Sequence, residues 1–183
     1  MLEVIETGIE GLLLLQPRVF NDDRGYFYEC FQLDRYANVG IQVPFVQDNI
    51  SKSVKNTIRG LHFQTGEKAQ GKLCQALLGE VLDVAVDIRK GSPTYGKHFA
   101  AILSDENHRQ LWIPPGFAHG FSVLSETVLF HYKCSNFYSK QHEGSLLFND
   151  STLGIDWKVT TPVVSQKDLE ATPFSEFETS FIY

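Results

Sequence analysis

Along most of this chain apolar side chains recur at alternate positions, not every third or fourth, which is the period of an extended strand. The runs are short and rich in Val, Ile, Phe and Tyr, and Gly, Pro, Asn and Asp punctuate them. GLLLLQPRVF, DNISKS, NTIRGLHFQ, KLCQALLGEV, VLDVAVDIR, HFAAILS, RQLWIP, HGFSVLS and TVLFHYKCSNFY are the strand candidates. NDDRGY, RKGSPTYGK and IPPGFAHG are turn-rich connections. A short helix is predicted around Leu33 to Val39. So many short antiparallel strands predict an all-β jelly roll or barrel.

Three strands carry more than a fold signal. In VLDVAVDIR, Leu82, Val84, Val86 and Ile88 form one apolar face, which leaves Asp83 and Asp87 on the other with Val81 and Ala85. In TVLFHYKC, Val128, Phe130, Tyr132 and Cys134 share a face that is apolar apart from one phenol, and Leu129, His131 and Lys133 share the other. In NTIRGLHFQ, simple alternation puts Ile58, Gly60, His62 and Gln64 on one side and Arg59, Leu61 and Phe63 opposite. Gly60 marks a place for a bulge that would turn Arg59 toward the side of His62. A barrel interior with a few placed polar groups accounts for these patterns.

From about Leu153 the alternation loosens into GIDWKVTTPVVSQKD and an aromatic, acidic tail, which would cover the barrel or reach a partner subunit. The length of 183 residues fits one domain over 1–183. Hydrophobic content of 43 % and charged content of 21 % describe an ordinary globule. A net charge of −6 without clustered Lys or Arg argues against nucleic-acid binding, so an anionic ligand has to be caught by a local pocket. Cys30, Cys74 and Cys134 are odd in number and lack CxxC spacing, which suits a reducing cytoplasm and no structural zinc or disulfide framework. The apolar run Leu12 to Leu15 is too short for a signal or membrane segment.

The candidate chemistry begins with PPGFAHGF, where Pro114, Gly116 and His119 have the P-x-G-x-x-H spacing of the second cupin motif. The first cupin motif supplies an H-x-H pair, and here that pair reads His62-Phe63-Gln64. A neutral amide is a poor ligand for a divalent transition metal, so a cupin barrel that has lost its metal is expected. The inward polar groups must then do acid–base work themselves. A histidine, with an ordinary pKa of about 6.5, accepts a proton near neutrality, and His62 is the candidate base. Asp83, Asp87 or Asp168 would fix its tautomer. Tyr132 is a candidate acid and Lys72 a candidate partner for an enolate oxygen. A base, an acid and an oxyanion partner together describe proton abstraction next to a carbonyl.

VFNDDRGYFYECF, FVQDNISKS, IRGLHFQ, AQGKL, GEVLDVAVDIRKGSPTYGK, RQLWIPPGFAHGF, YKCSNFYSKQHEG, FND with TLGIDW, and SQKD, in that order, cover nearly the whole chain. Together they resemble the dTDP-4-dehydrorhamnose 3,5-epimerase family of nucleotide-sugar enzymes. The resemblance implies a double-stranded β-helix of the cupin type with short peripheral helices. It also implies a homodimer that needs no cofactor and no metal, acting on a dTDP-4-keto-6-deoxyhexose. His62 would be the general base held by Asp168, Tyr132 the acid on the opposite sugar face, and Lys72 the support of the C4 enolate with His119 nearby. Arg24, Glu29, Gln47, Asp48, Asn49, Arg59, Glu143 and Lys167 match nucleotide-binding positions, and Tyr138 matches an aromatic that stacks on thymine. Asp83 is a possible supporting carboxylate behind the site. Phe63, Phe130 and Gln75 depart slightly from the family pattern.

Three rival functions fit the same residues. A relative that inverts one centre or moves the carbonyl would use the same barrel and base. A non-catalytic sugar-nucleotide-binding cupin would keep ligand affinity in His62→Ala and show no chemistry. A metal-dependent cupin would carry stoichiometric metal.

Overall fold

The computed structural model describes residues 2–183. In chain order the elements are β1 (Glu3–Glu6), β2 (Leu13–Gln16), β3 (Val19–Asp22), β4 (Gly25–Tyr28), α1 (Leu33–Ala37), β5 (Gln47–Val54), β6 (Ile58–Gln64), β7 (Lys72–Leu78), β8 (Glu80–Asp87), β9 (His98–Ser104), β10 (Gln110–Ile113), β11 (Phe117–Val123), β12 (Thr127–Cys134), β13 (Glu143–Ser145) and α2 (Gln166–Leu169). One sheet runs β1-β2-β10-β7-β12-β5 and the other β13-β6-β11-β8-β9, with every pairing antiparallel. This is the all-β double sheet the strand rhythm predicts, in the cupin-type form the family resemblance implies.

Alternation decides what lies between the sheets. Cys74, Ala76, Val128 and Phe130 from the six-stranded sheet meet Val81, Ala85, Phe121 and Val123 from the five-stranded sheet in the central core. The opposite faces are also covered, which is why several strands are buried on both sides. Leu82, Val84, Val86 and Ile88 turn outward to a second cluster, closed by Leu146, Trp157, Phe177 and Phe181. The tail therefore lies over the five-stranded sheet and is fastened there by Lys90 N–H to the Phe181 carbonyl, 2.8 Å. On the outer face of the six-stranded sheet, Leu73 and Trp112 pack against Tyr36 of α1 and Ile41. Gln75 lies on that outer side, 4 % exposed, hydrogen-bonded to Gln110 and His131. Its amide is thus structural.

The stretch GLLLLQPRVF forms two strands, not one: Pro17 cannot donate to a ladder, and the chain passes there from the six-stranded sheet to a separate two-stranded one. The turn NDDRGY becomes the tip of a two-stranded ribbon, β3–β4, outside both large sheets. α1 starts where predicted, with the Gln32 side chain accepting from Arg35 N–H. The short helix α2 in SQKD carries no hydrophobic period, and only its cap announces it: the Ser165 side chain accepts from Asp168 N–H at 3.2 Å.

Candidate active site

The site opens at the end of the double sheet where β7 begins and β6 and β12 end. Two adjoining clefts, of about 280 and 270 Å³, share His62, Lys72 and Tyr132 as walls. His62 comes from the five-stranded sheet and Lys72 and Tyr132 from the six-stranded one, so the base and acid candidates stand on opposite walls.

A bulge sets this wall. The pairing of β6 with β11 shifts between His119 opposite His62 and Phe121 opposite Arg59. Gly60 lies in the shift with φ +139°, and a Cβ there would meet the Gly120 Cα at 2.5 Å. The bulge corrects simple alternation: Ile58 packs outward with Leu61 and Phe63, while Arg59 and His62 both line the cleft. Arg59 is steadied by its Nε donating to Ser53 Oγ at 3.0 Å. Gln64 is committed elsewhere: its amide donates to the Lys68 and Phe137 carbonyls and accepts from Ser139 N–H. With His62 also engaged, the H-x-H position does not fit a cupin metal.

His62 Nε2 lies 2.6 Å from Asp168 Oδ1, and Asp168 is 3 % exposed. A carboxylate can only accept, so Nε2 carries the proton and Nδ1 is left to take one. Burial works against ionisation of Asp168. The hydrogen bond and charge of His62, with Gly60 N–H and Ser165, outweigh it and hold the carboxyl below its ordinary range. On the facing wall burial, reinforced by Cys134 and Cys74, pushes the Tyr132 phenol up to about 12. That keeps it a proton donor at neutral pH.

A second histidine–carboxylate pair lies deeper. His119 Nε2 donates to Asp83 Oδ1 at 2.7 Å, and Lys72 Nζ is 3.5 Å from His119 Nδ1. Burial pushes the imidazole below its usual pKa, with Lys72 adding to the effect and Asp83 opposing it. The neutral ring therefore accepts from Lys72 and holds its amine toward the cleft.

Around the first cleft stand Gln47, Asn49, Tyr138 and Glu143, and around the second Arg59 and Lys167. Glu143 accepts from Lys167 at 2.6 Å and from the Tyr138 hydroxyl at 3.1 Å, and Gln47 Oε1 accepts from Tyr138 N–H. Three expected residues are placed elsewhere in the chain. Asp48 occupies an outward position of β5 and pairs with Lys133 at 2.8 Å, because only the odd positions of that strand face inward. Arg24 and Glu29 belong to the β3–β4 ribbon and the segment after it, where Arg24 pairs with Asp22 and Glu29 with Arg35. Asp87, a candidate partner for His62, instead binds Arg89, Ser92 and Thr94. Ser53 and Ser165 support the site without standing out among the serines of the sequence. An S-x-x-D spacing before a short helix is the one signal that marks Ser165.

Residues 6–176 match the family model for dTDP-4-dehydrorhamnose 3,5-epimerase. The chain is 54 % identical over 173 residues to the dTDP-4-dehydrorhamnose 3,5-epimerase of Salmonella typhimurium, covering 93 % of this chain and 94 % of that one. Its structure is similar, with a TM-score of 0.94 and 48 % identity, to the dTDP-6-deoxy-D-glucose-3,5-epimerase of Legionella pneumophila solved with dTDP-4-keto-L-rhamnose. That similarity covers 97 % of this chain and 95 % of the other. It is also 35 % identical to a dTDP-4-dehydrorhamnose 3-epimerase of Streptomyces niveus, over 92 % of this chain and 82 % of that one.

Proposed function

The chain belongs to the dTDP-4-dehydrorhamnose 3,5-epimerase family, and we propose that it inverts C3 and C5 of dTDP-4-dehydro-6-deoxy-D-glucose with the His62–Asp168 pair as base. The observation that carries this is the 2.6 Å His62–Asp168 contact facing Tyr132 across one cleft. C3 and C5 both flank the C4 ketone, so loss of either proton gives an enolate. Nδ1 of His62 takes the proton, and the Asp168 carboxylate stabilises the imidazolium that forms. Lys72, aligned by His119 and Asp83, supports the charge on the C4 oxygen. Tyr132 returns a proton from the opposite face, which inverts the centre. A turn of the ring presents the second carbon to the same pair. Nothing is oxidised or reduced, and side chains supply every proton.

Arg59 and Lys167 are suited to the diphosphate, since local cations serve an anionic ligand even on an acidic protein. Tyr138 offers a face to the thymine, flanked by Gln47, Asn49 and Glu143. Arg24, Glu29 and Asp48 would reach the nucleotide in a homodimer, with Arg24 and Glu29 delivered by the ribbon of a second copy. Exposed Phe20, Tyr26 and Phe27 on the ribbon, and Ile50 and Val54 on the edge strand β5, support such an assembly. Light scattering should then give twice the 20.7 kDa chain mass. A cytoplasmic location fits three free cysteines, and among the described residues no helix is long and apolar enough to cross a membrane.

The test is incubation with the 4-keto-6-deoxyglucose nucleotide in deuterated water, followed by NMR at C3 and C5. Deuterium at both carbons with a dTDP-4-dehydro-L-rhamnose product supports the proposal. Deuterium at one carbon identifies a single-centre epimerase, and product binding without exchange identifies a binding module.

A further inference from the structure

Behind the catalytic cleft Cys74, Asp83 and His119 are all buried, and their donor atoms lie within 4.8 Å of one another. Cys74 Sγ is 3.7 Å from His119 Nε2. Two ligands of a tetrahedral zinc ion, at ordinary Zn–S and Zn–N lengths, stand about 3.5 Å apart. Asp83 provides a second, independent sign. Its Oδ1 is used by His119, but Oδ2 is fully buried without a hydrogen-bond partner. An unpaired carboxylate oxygen in an apolar interior is costly, and a cation is the partner that would satisfy it. Phe130 stacks near the imidazole at 6.2 Å and Phe121 packs against Phe130, so aromatic rings wall one side of the cluster.

We propose that Cys74, Asp83 and His119 form a binding site for a thiophilic divalent cation of the zinc class, and that filling it inhibits the enzyme. The epimerase reading is needed only for the inhibition. The donor set, one thiolate, one imidazole and one carboxylate, suits zinc and not magnesium or calcium. Binding forms bonds from the metal to Sγ, to an Asp83 oxygen and to Nε2. The Cys74 thiol releases one proton to solvent, and the imidazole proton moves from Nε2 to Nδ1. Thiolate and carboxylate then balance the charge of the ion. Nδ1, an acceptor for Lys72 in the metal-free chain, becomes a donor facing that amine, so Lys72 loses the contact that aligns it. This site is distinct from the H-x-H position, whose Gln64 is committed to backbone groups.

Cobalt(II) alone is the first probe, added to a Cys30→Ser, Cys134→Ser background to remove the other thiols. Thiolate-to-cobalt charge-transfer absorption should saturate at about one ion per chain. Cys74→Ser should abolish it, and Asp83→Asn should weaken it at least tenfold in affinity, so the inference does not hang on one variant. Zinc should slow deuterium exchange by about tenfold or more in the background protein, reversibly with a chelator, and leave Cys74→Ser untouched. Absence of the absorption band in the background protein would overturn the site, as would a band that survives in Cys74→Ser. Equal zinc inhibition with and without Cys74 would overturn the inhibitory role. The absorption needs no turnover, so failure of the site and failure of the epimerase reading give different results.

Discussion

Two histidine–carboxylate pairs lie side by side in this barrel, on strands whose register sets His62 directly opposite His119. Their hydrogen bonds are nearly equal, 2.6 Å to Asp168 and 2.7 Å to Asp83. Their surroundings differ. The His62 side chain is 31 % exposed to the cleft and that of His119 is 6 % exposed. In the first pair Nε2 is the nitrogen bound to the carboxylate, and the ring lines both clefts. In the second, Lys72 occupies Nδ1 and burial holds the ring neutral. On the proposed function the same pair of residue types serves as a base in one position and as a support for a cation in the other. Access to the second ring nitrogen, more than the carboxylate, separates the roles.

The sharpest way to break this comparison is to remove each histidine in turn. His62→Ala should lower exchange at C3 and C5 by about 10³- to 10⁴-fold, measured by deuterium uptake. Asp168→Asn should cost less, about 10²- to 10³-fold in kcat, because the imidazole stays but its tautomer and its imidazolium lose support. Equal activity in Asp168→Asn would separate the carboxylate from catalysis. Tyr132→Phe should keep exchange at one or both carbons while inversion falls by about 10²-fold, since abstraction needs only His62. Normal product yield from that variant would remove Tyr132 from the acid role.

The bulge that joins the two pairs is tested by stability. Gly60→Ala places a Cβ against Gly120 at φ +139° and should cost about 3 kcal/mol or more by denaturant unfolding, with Gly8→Ala, which meets no atom within 4 Å, as the milder positive-φ control. The smallest effect expected is a pH signature of the buried pair. His119 has a folded pKa below its unfolded value, so the unfolded chain binds more protons between the two. The stability this contributes is present above about pH 6.5 and is lost as pH falls through the folded pKa. Half-buried His131 acts in the same direction. Asp168 and Asp87 have lowered pKa values, and Asp87 titrates at about 2, so they lose their contribution only below about pH 4. Thermal midpoints in His119→Gln should therefore fall less between pH 7 and 5 than in the wild-type chain. An unchanged slope would show that the ring is not held neutral.

What a period of two can carry was legible in the sequence. Alternation alone separates Asp83, with Val81 and Ala85, from the Leu82 face and places Tyr132 on its apolar face, while the packing of the sheets decides which face is inward. Gly60 signalled that the phase would slip, and the slip put Arg59 beside His62. Long-range pairing has no such signal. Asp168 reaches His62 across 106 positions through a four-residue helix that has no hydrophobic stripe; residue chemistry offered it only as one of three carboxylates, and the family resemblance singled it out. Arg24, Glu29 and Asp48 did not stand apart from the other binding residues, because a motif records residue identity, and their placement depends on a ribbon outside the sheets and on strand parity. Cys74 drew no attention as one of three scattered cysteines. Its meaning comes from strand β7 lying against the pair formed by His119 and Asp83.

The most direct test of the central claim is deuterium uptake at C3 and C5 by NMR, comparing the wild-type chain, His62→Ala and His119→Gln under identical conditions. The account predicts uptake at both carbons in the wild-type chain, uptake lowered by about 10³- to 10⁴-fold in His62→Ala, and slowed but persistent uptake in His119→Gln. Uptake that survives in His62→Ala while vanishing in His119→Gln would exchange the roles of the two pairs and contradict it.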